Sequence, residues 1–285
     1  MNFYEWFVLN EGRVIEPFFS KAHIFTVTFF LFHCVVILFY LGRKYKDNPK
    51  AIEKIMKVVA FIMISLYVLE ITRSITANIH KGLDLTTAKG LKTLRGMIVN
   101  NVPLYLCDVA IWAIPIIAFT KGKARTICSD FMAIWGLPMG IIGTYLAGNI
   151  FGVVPVFSFD GLLAIFLHVV PAAFTVFLYV TKLASLERKN ILMDVIAFTA
   201  FMTFVLIYDY IFNPLNGTNF MFFFHGEGTP FDLFKPYVPL VVYQIIVFVL
   251  YFSYHFLFLI IFNAIRDAIN KKKQTKITTS EPVAA

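Results

Sequence analysis

The sequence predicts an all-α, polytopic membrane bundle of about seven transmembrane helices, and three observations carry that reading. Of 285 residues, 59% are hydrophobic and only 15% are charged, against about 25% charged in a soluble domain. Mean hydropathy is +0.76, and 33 residues are Phe, more apolar surface than one soluble core hides. The apolar runs are roughly 18–27 residues long and do not alternate. Backbone inside a bilayer must satisfy its own hydrogen bonds, which leaves helices or closed barrels. A helix needs about 20 residues to cross and a barrel strand about 10, so helices are indicated.

Seven runs qualify, near 22–41, 58–78, 102–119, 131–150, 161–181, 191–212 and 237–263. Residues 1–263 then form one membrane domain, and 264–285 read as a basic, disordered cytoplasmic tail. No cleavable signal peptide is expected, because Glu5, Glu11 and Glu16 stand where a basic region is needed. The connections set the orientation. Segments 42–57, 120–130, 182–190 and the tail hold 17 of the 25 lysines and arginines, and the opposite connections hold 7. Positive loops stay in the cytoplasm, so the N-terminus lies outside and the C-terminus inside. The net charge of +8 is topogenic on this reading, and no nucleic acid is implied. The chain reads as a multi-pass protein of the cell (plasma) membrane whose partners are membrane lipids.

Two outer connections stand out. In 79–101, Leu91, Leu94 and Ile98 recur at helical spacing beside Lys92 and Arg95. That pattern suits a short amphipathic helix on the surface or a solvated loop. Segment 213–236 is too aromatic to float in water and is expected to fold back on the bundle or to dip into the interface, as long functional loops often do.

Ionisable side chains within spans are costly and mark function by default. Span 2 carries Glu70 and Arg73 on one face with Tyr67, Ser74 and Ala77, a spacing that also suits a Glu70–Arg73 ion pair. Span 3 carries Tyr105, Cys107 and Asp108. Span 4 ends at Asn149, span 5 carries His168, and span 6 ends at Tyr208, Asp209 and Asn213. With about 1.5 Å of rise per residue, these groups fall at one depth in the outer half, as one polar cavity would require. Gly136, Gly140, Gly143 and Ala147 let span 4 approach a neighbour closely. Gly161, Ala164, His168, Ala172 and Thr175 share a face of span 5, which points His168 into protein beside Pro171.

A cysteine near a histidine is a candidate nucleophile–base pair, here Cys107 and His168. Arg73 could favour a thiolate or an oxyanion. A buried free cysteine is also a small hydrophobe. Cys34, Cys107 and Cys128 fit no zinc spacing and no disulfide framework, so no metal and no cofactor are expected.

Several segments resemble the YwaF-like integral membrane family, related to an animal transmembrane protein proposed as an ether-phospholipid acyltransferase. Val102-Pro103-Leu104-Tyr105-Leu106-Cys107 resembles that family's LPLHLC signature, with Tyr105 in place of its His. Trp135-Gly136 resembles its FWG segment, and Phe166-Leu167-His168 its FxxH segment. Asn213 with Asn219-Phe220-Met221-Phe222 is similar to its N…NYMFL segment. The resemblance spans nearly the whole chain and implies Cys107 and His168 as a catalytic pair. Two functions follow as expectations. One is a lipid-active acyltransferase or acyl hydrolase, with Glu70, Arg73, Tyr105, Asp108, Asn149, Asp209, Asn213 and Asn219 binding substrate. The other is a small-molecule binder or transporter that uses the same cavity without covalent chemistry.

Overall fold

The computed structural model describes residues 19–146, 154–226 and 230–280. Among them are eight α-helices: α1 (Lys21–Tyr45), α2 (Pro49–His80), α3 (Ala88–Asn100), α4 (Ala110–Phe119), α5 (Lys123–Tyr145), α6 (Phe159–Thr181), α7 (Ile191–Asn216) and α8 (Leu240–Ser280). All except α3 and α4 are long and apolar enough to cross a membrane, which makes six such helices among the described residues.

Local chemistry sets the starts. Ser20, Asn48, Thr87 and Ser158 each accept a hydrogen bond from a backbone N–H three residues on, and so cap α1, α2, α3 and α6. Pro49 follows its cap at the position where a missing amide costs nothing. α2 therefore begins nine residues before the apolar run does. The amphipathic reading of 79–101 is met by α3, which leaves Leu91 and Ile98 exposed. α8 continues through Ser280, where a disordered tail was expected from 264. Residues 264–280 contain no Gly or Pro, so nothing in the backbone stops the helix there.

The main correction concerns the third span. Only Ala110–Phe119 is helical within 102–119, about 15 Å of rise where the hydrocarbon core needs about 30 Å. Pro103 has no amide to donate and forces its predecessor out of the helical region. Residues 102–109 instead form turns, with Leu104 N bonded to Val102 O and Asp108 N to Tyr105 O at 2.8 and 2.9 Å. Such backbone is tolerated at membrane depth only under a protein cover. Leu104 and Leu106 are buried, and the segment after α7 supplies the cover. Tyr105 packs edge-on against Phe220 at 5.0 Å, and Phe220, Met221 and Phe223 are buried. The 213–236 segment thus folds back onto the bundle over its described part.

α6 is the central helix, packed on α1, α2 and α5. The glycine stripe of α5 works as its spacing suggests. A Cβ at Gly136 would strike Thr175, one at Gly140 would strike Ala172, and one at Gly143 would strike the His168 ring. Ala147 lies outside the described residues. At one end of the bundle the basic connections meet. Asp130 accepts from the amides of Ser185 and Leu186 at 2.9 and 3.0 Å, Arg266 donates to Ser185 O, and Arg125 lies 3.8 Å from Glu53. The other end gathers the polar groups of interest.

Candidate functional site

At that polar end the broken span sits among α2, α5 and α6. Arg73 of α2 pairs with Asp160 of α6 at 2.7 Å. Arg73 therefore bonds across helices and does not close an i, i+3 pair with Glu70. Glu70 lies near enough to Asp108 and Asp160 to interact with both carboxylates. Glu70 and Arg73 accordingly face the bundle, in reach of the third span and of α6. Tyr67, a turn below Glu70, donates to Asn101 O at 2.8 Å and ties α2 to the start of the broken segment.

Cys107 and His168 line one small cavity with Leu106, Gly140 and Pro171. Its volume is about 10 Å³, the room of about one water. The expected Cys107–His168 pair is not formed. The Cys107 thiol stands beside the carboxyl of its neighbour Asp108. His168 Nδ1 bonds to Ala164 O at 2.7 Å. A carbonyl only accepts, so Nδ1 carries a proton. That intrahelical bond turns the ring onto Gly143 of α5, away from a direct bond to the sulfur. Asp108 lies between the two, beside the thiol and within electrostatic reach of His168. His168 is 7% exposed and points into protein.

The remaining predicted residues divide. Asn219 is buried and staples the covering segment: its Oδ1 accepts from the amides of Phe224 and His225, and its Nδ2 donates to His225 O. Asn213 donates to Thr218 O. Tyr105 stacks on the same segment, between Phe220 and Phe222. Asp209 is buried in α7, beside Tyr208, whose hydroxyl donates to Val99 O. Tyr105, Asn213 and Asn219 hold the cover, Asp209 stays buried within the bundle, and Asn149 lies outside the described residues. Asp160 escaped the sequence reading because it opens α6 and looks like a loop residue. The available signal was its position two residues after the Ser158 cap, at the depth of Arg73.

Helices of this length and apolarity, around a half-length helix entered through a non-helical polar segment, define a multi-pass integral membrane protein. The chain belongs to the TMEM164 family, whose model it matches over residues 18–260. No functionally curated protein and no protein of solved structure matches it.

Proposed function

We propose that this protein transfers acyl groups between membrane lipids through a transient thioester on Cys107. The observation that carries the reading is the Cys107 thiol itself. It stands in a non-helical break of a membrane helix, beside the Asp108 carboxyl and sharing a cavity with His168. As the sulfur attacks the carbonyl carbon of a lipid ester, its proton passes to Asp108. The S–C bond forms, the ester C–O bond breaks, and the leaving oxygen takes the proton back from Asp108. An acceptor hydroxyl then attacks the thioester, gives its proton to Asp108, and frees the sulfur, which recovers that proton. With water as acceptor the same steps are hydrolysis. His168 supports the charge on Asp108 as the proton moves. Glu70 and Arg73 are the groups we assign to the headgroup, Asp108 to the proton, and Tyr105, Asn213 and Asn219 to holding the cover. A lipid reaching Cys107 must lift that cover, because the cavity is water-sized.

The test is direct. Protein purified in phospholipid nanodiscs is denatured and treated with hydroxylamine, which cleaves thioesters, and Cys107 is read by mass spectrometry. Hydroxylamine-labile acylation at Cys107, and not at Cys34 or Cys128, is the expected result. An unmodified Cys107 during measurable acyl turnover would overturn the thioester.

We place this chemistry in the outer leaflet of the plasma membrane, with the N-terminus outside and the tail inside, on the 17-to-7 division of basic residues. Single cysteines introduced at 232 and 276 check the orientation with an impermeant thiol reagent. Position 232 should label in intact cells and position 276 only after permeabilisation. The reverse pattern would invert the protein and move the chemistry to the inner leaflet.

A further inference from the structure

A second site lies between α4, α5 and α7, nearer the basic end. Because α4 packs on α2 and α5 and is only ten residues long, a gap stays open along α7. The resulting pocket is about 460 Å³, within the range of about 300–1,000 Å³ usual for ligand pockets. Its walls are apolar, and Trp112 and Phe204, both half-exposed, stand at its rim. It therefore opens sideways, toward lipid.

Two polar side chains line this apolar pocket, Asp194 of α7 and His255 of α8. They are 2% and 1% exposed. Among the described residues neither oxygen of Asp194 has a hydrogen-bond partner, and neither has His255 Nε2. None of the ion pairs among the described residues includes Asp194. His255 is held rigidly. Its ring stacks on Phe198 at 4.4 Å and 5°, and its Nδ1 accepts from Trp135 Nε1 at 3.0 Å. An indole nitrogen only donates, so Nδ1 must be the bare nitrogen and Nε2 carries the proton. The pocket thus offers one acceptor, Asp194, and one donor, His255 Nε2–H. A buried polar group without a partner is costly, and a ligand that satisfies both groups recovers that cost.

From these two groups we infer that the pocket binds a neutral lipid bearing a free hydroxyl, its chain along the apolar wall and its hydroxyl between Asp194 and His255. A hydroxyl both donates and accepts. An ammonium would satisfy Asp194 but offer nothing to the His255 N–H. A carboxylate would accept from His255 but confront Asp194. The site is separate from Cys107 and does not depend on thioester chemistry there.

The experiment uses the full-length protein in nanodiscs with a diazirine-bearing hexadecanol as photoprobe. Labelling is expected on α4, α5 or α7 at the pocket wall. Unlabelled hexadecanol should compete at least tenfold better than hexadecane, palmitate or hexadecylamine. Asp194→Ala and His255→Phe should each weaken labelling about tenfold, the worth of one hydrogen bond to a charged or buried partner. Asp194→Asn removes the charge and should let palmitate compete. Hexadecylamine competing best would make Asp194 a simple counter-ion, and hexadecane competing equally would make the pocket a passive cleft. Either result overturns the inference, as does labelling elsewhere, and both are read on the wild-type protein whether or not a variant folds. Cys107→Ala should label like wild type, which separates failure here from failure of the thioester.

Discussion

Replacing Cys107 with serine is expected to leave the fold intact and remove most acyl transfer, because a hydroxyl is a far weaker nucleophile than a thiol at neutral pH without matching activation. Cys107→Ala should abolish transfer. Asp108→Asn should lower turnover by about 10²–10⁴-fold, the range of a lost general base, since the amide cannot take the thiol proton. His168→Ala should also lower it, through Asp108, because the ring does not bond the sulfur. If the groups act as one unit, His168→Ala in an Asp108→Asn background adds little, as residues working together are non-additive. Gly143→Val gives an independent check. Its side chain would enter the space of the His168 ring and should reproduce the His168 loss with Cys107 untouched. The measurement is transfer of a labelled acyl chain in nanodiscs, with thermal unfolding followed alongside. If Cys107→Ala keeps wild-type transfer, the thioester is wrong and the binder or transporter reading takes its place.

Arg73→Met should destabilise the protein more than other single changes in the polar cluster. Three carboxylates, Glu70, Asp108 and Asp160, gather around Arg73 and His168. Removing the guanidinium takes away the 2.7 Å partner of Asp160 and lets the acidic groups repel one another more strongly. Breaking a fully buried pair costs about 3–5 kcal/mol. The Arg73 and Asp160 side chains are 19% and 25% exposed, so a loss of about 2–3 kcal/mol is expected after solvent screening. Asp160→Asn should cost less, because the amide oxygen still accepts from the arginine. The double replacement Arg73→Met with Asp160→Leu should be milder than the two single losses added together, since it leaves neither partner stranded. Melting in detergent by intrinsic fluorescence gives the comparison. An Arg73→Met melting curve identical to wild type would mean that the pair holds nothing together.

What could be read directly from the chain follows from short-range rules. Apolar length decides that a segment crosses a membrane, so α1, α2, α5, α6, α7 and α8 were all legible. Small residues at helical spacing show which face packs closely, so the α5 stripe against α6 was legible as well. Depth along a span is counted in residues, so the gathering of Glu70, Arg73, Asp108 and His168 at one level could also be anticipated. Partner choice is different, because it depends on which helices are neighbours and on how each side chain turns. Arg73 reaches Asp160 because α2 packs beside α6. His168 turns to Ala164 and Gly143 because a carbonyl one turn back accepts a hydrogen bond from its ring. The break at 102–109 needed the cover from 219–225 to be tolerable, and that cover lies more than a hundred residues away in sequence. Asp194 and His255 come from different helices, and only the gap beside the half-length α4 brings both to the wall of one pocket. Hydropathy and periodicity therefore determined this protein's class and the depth of its polar groups, whereas helix neighbours and side-chain rotation, which no local pattern encodes, decided which of those groups meet.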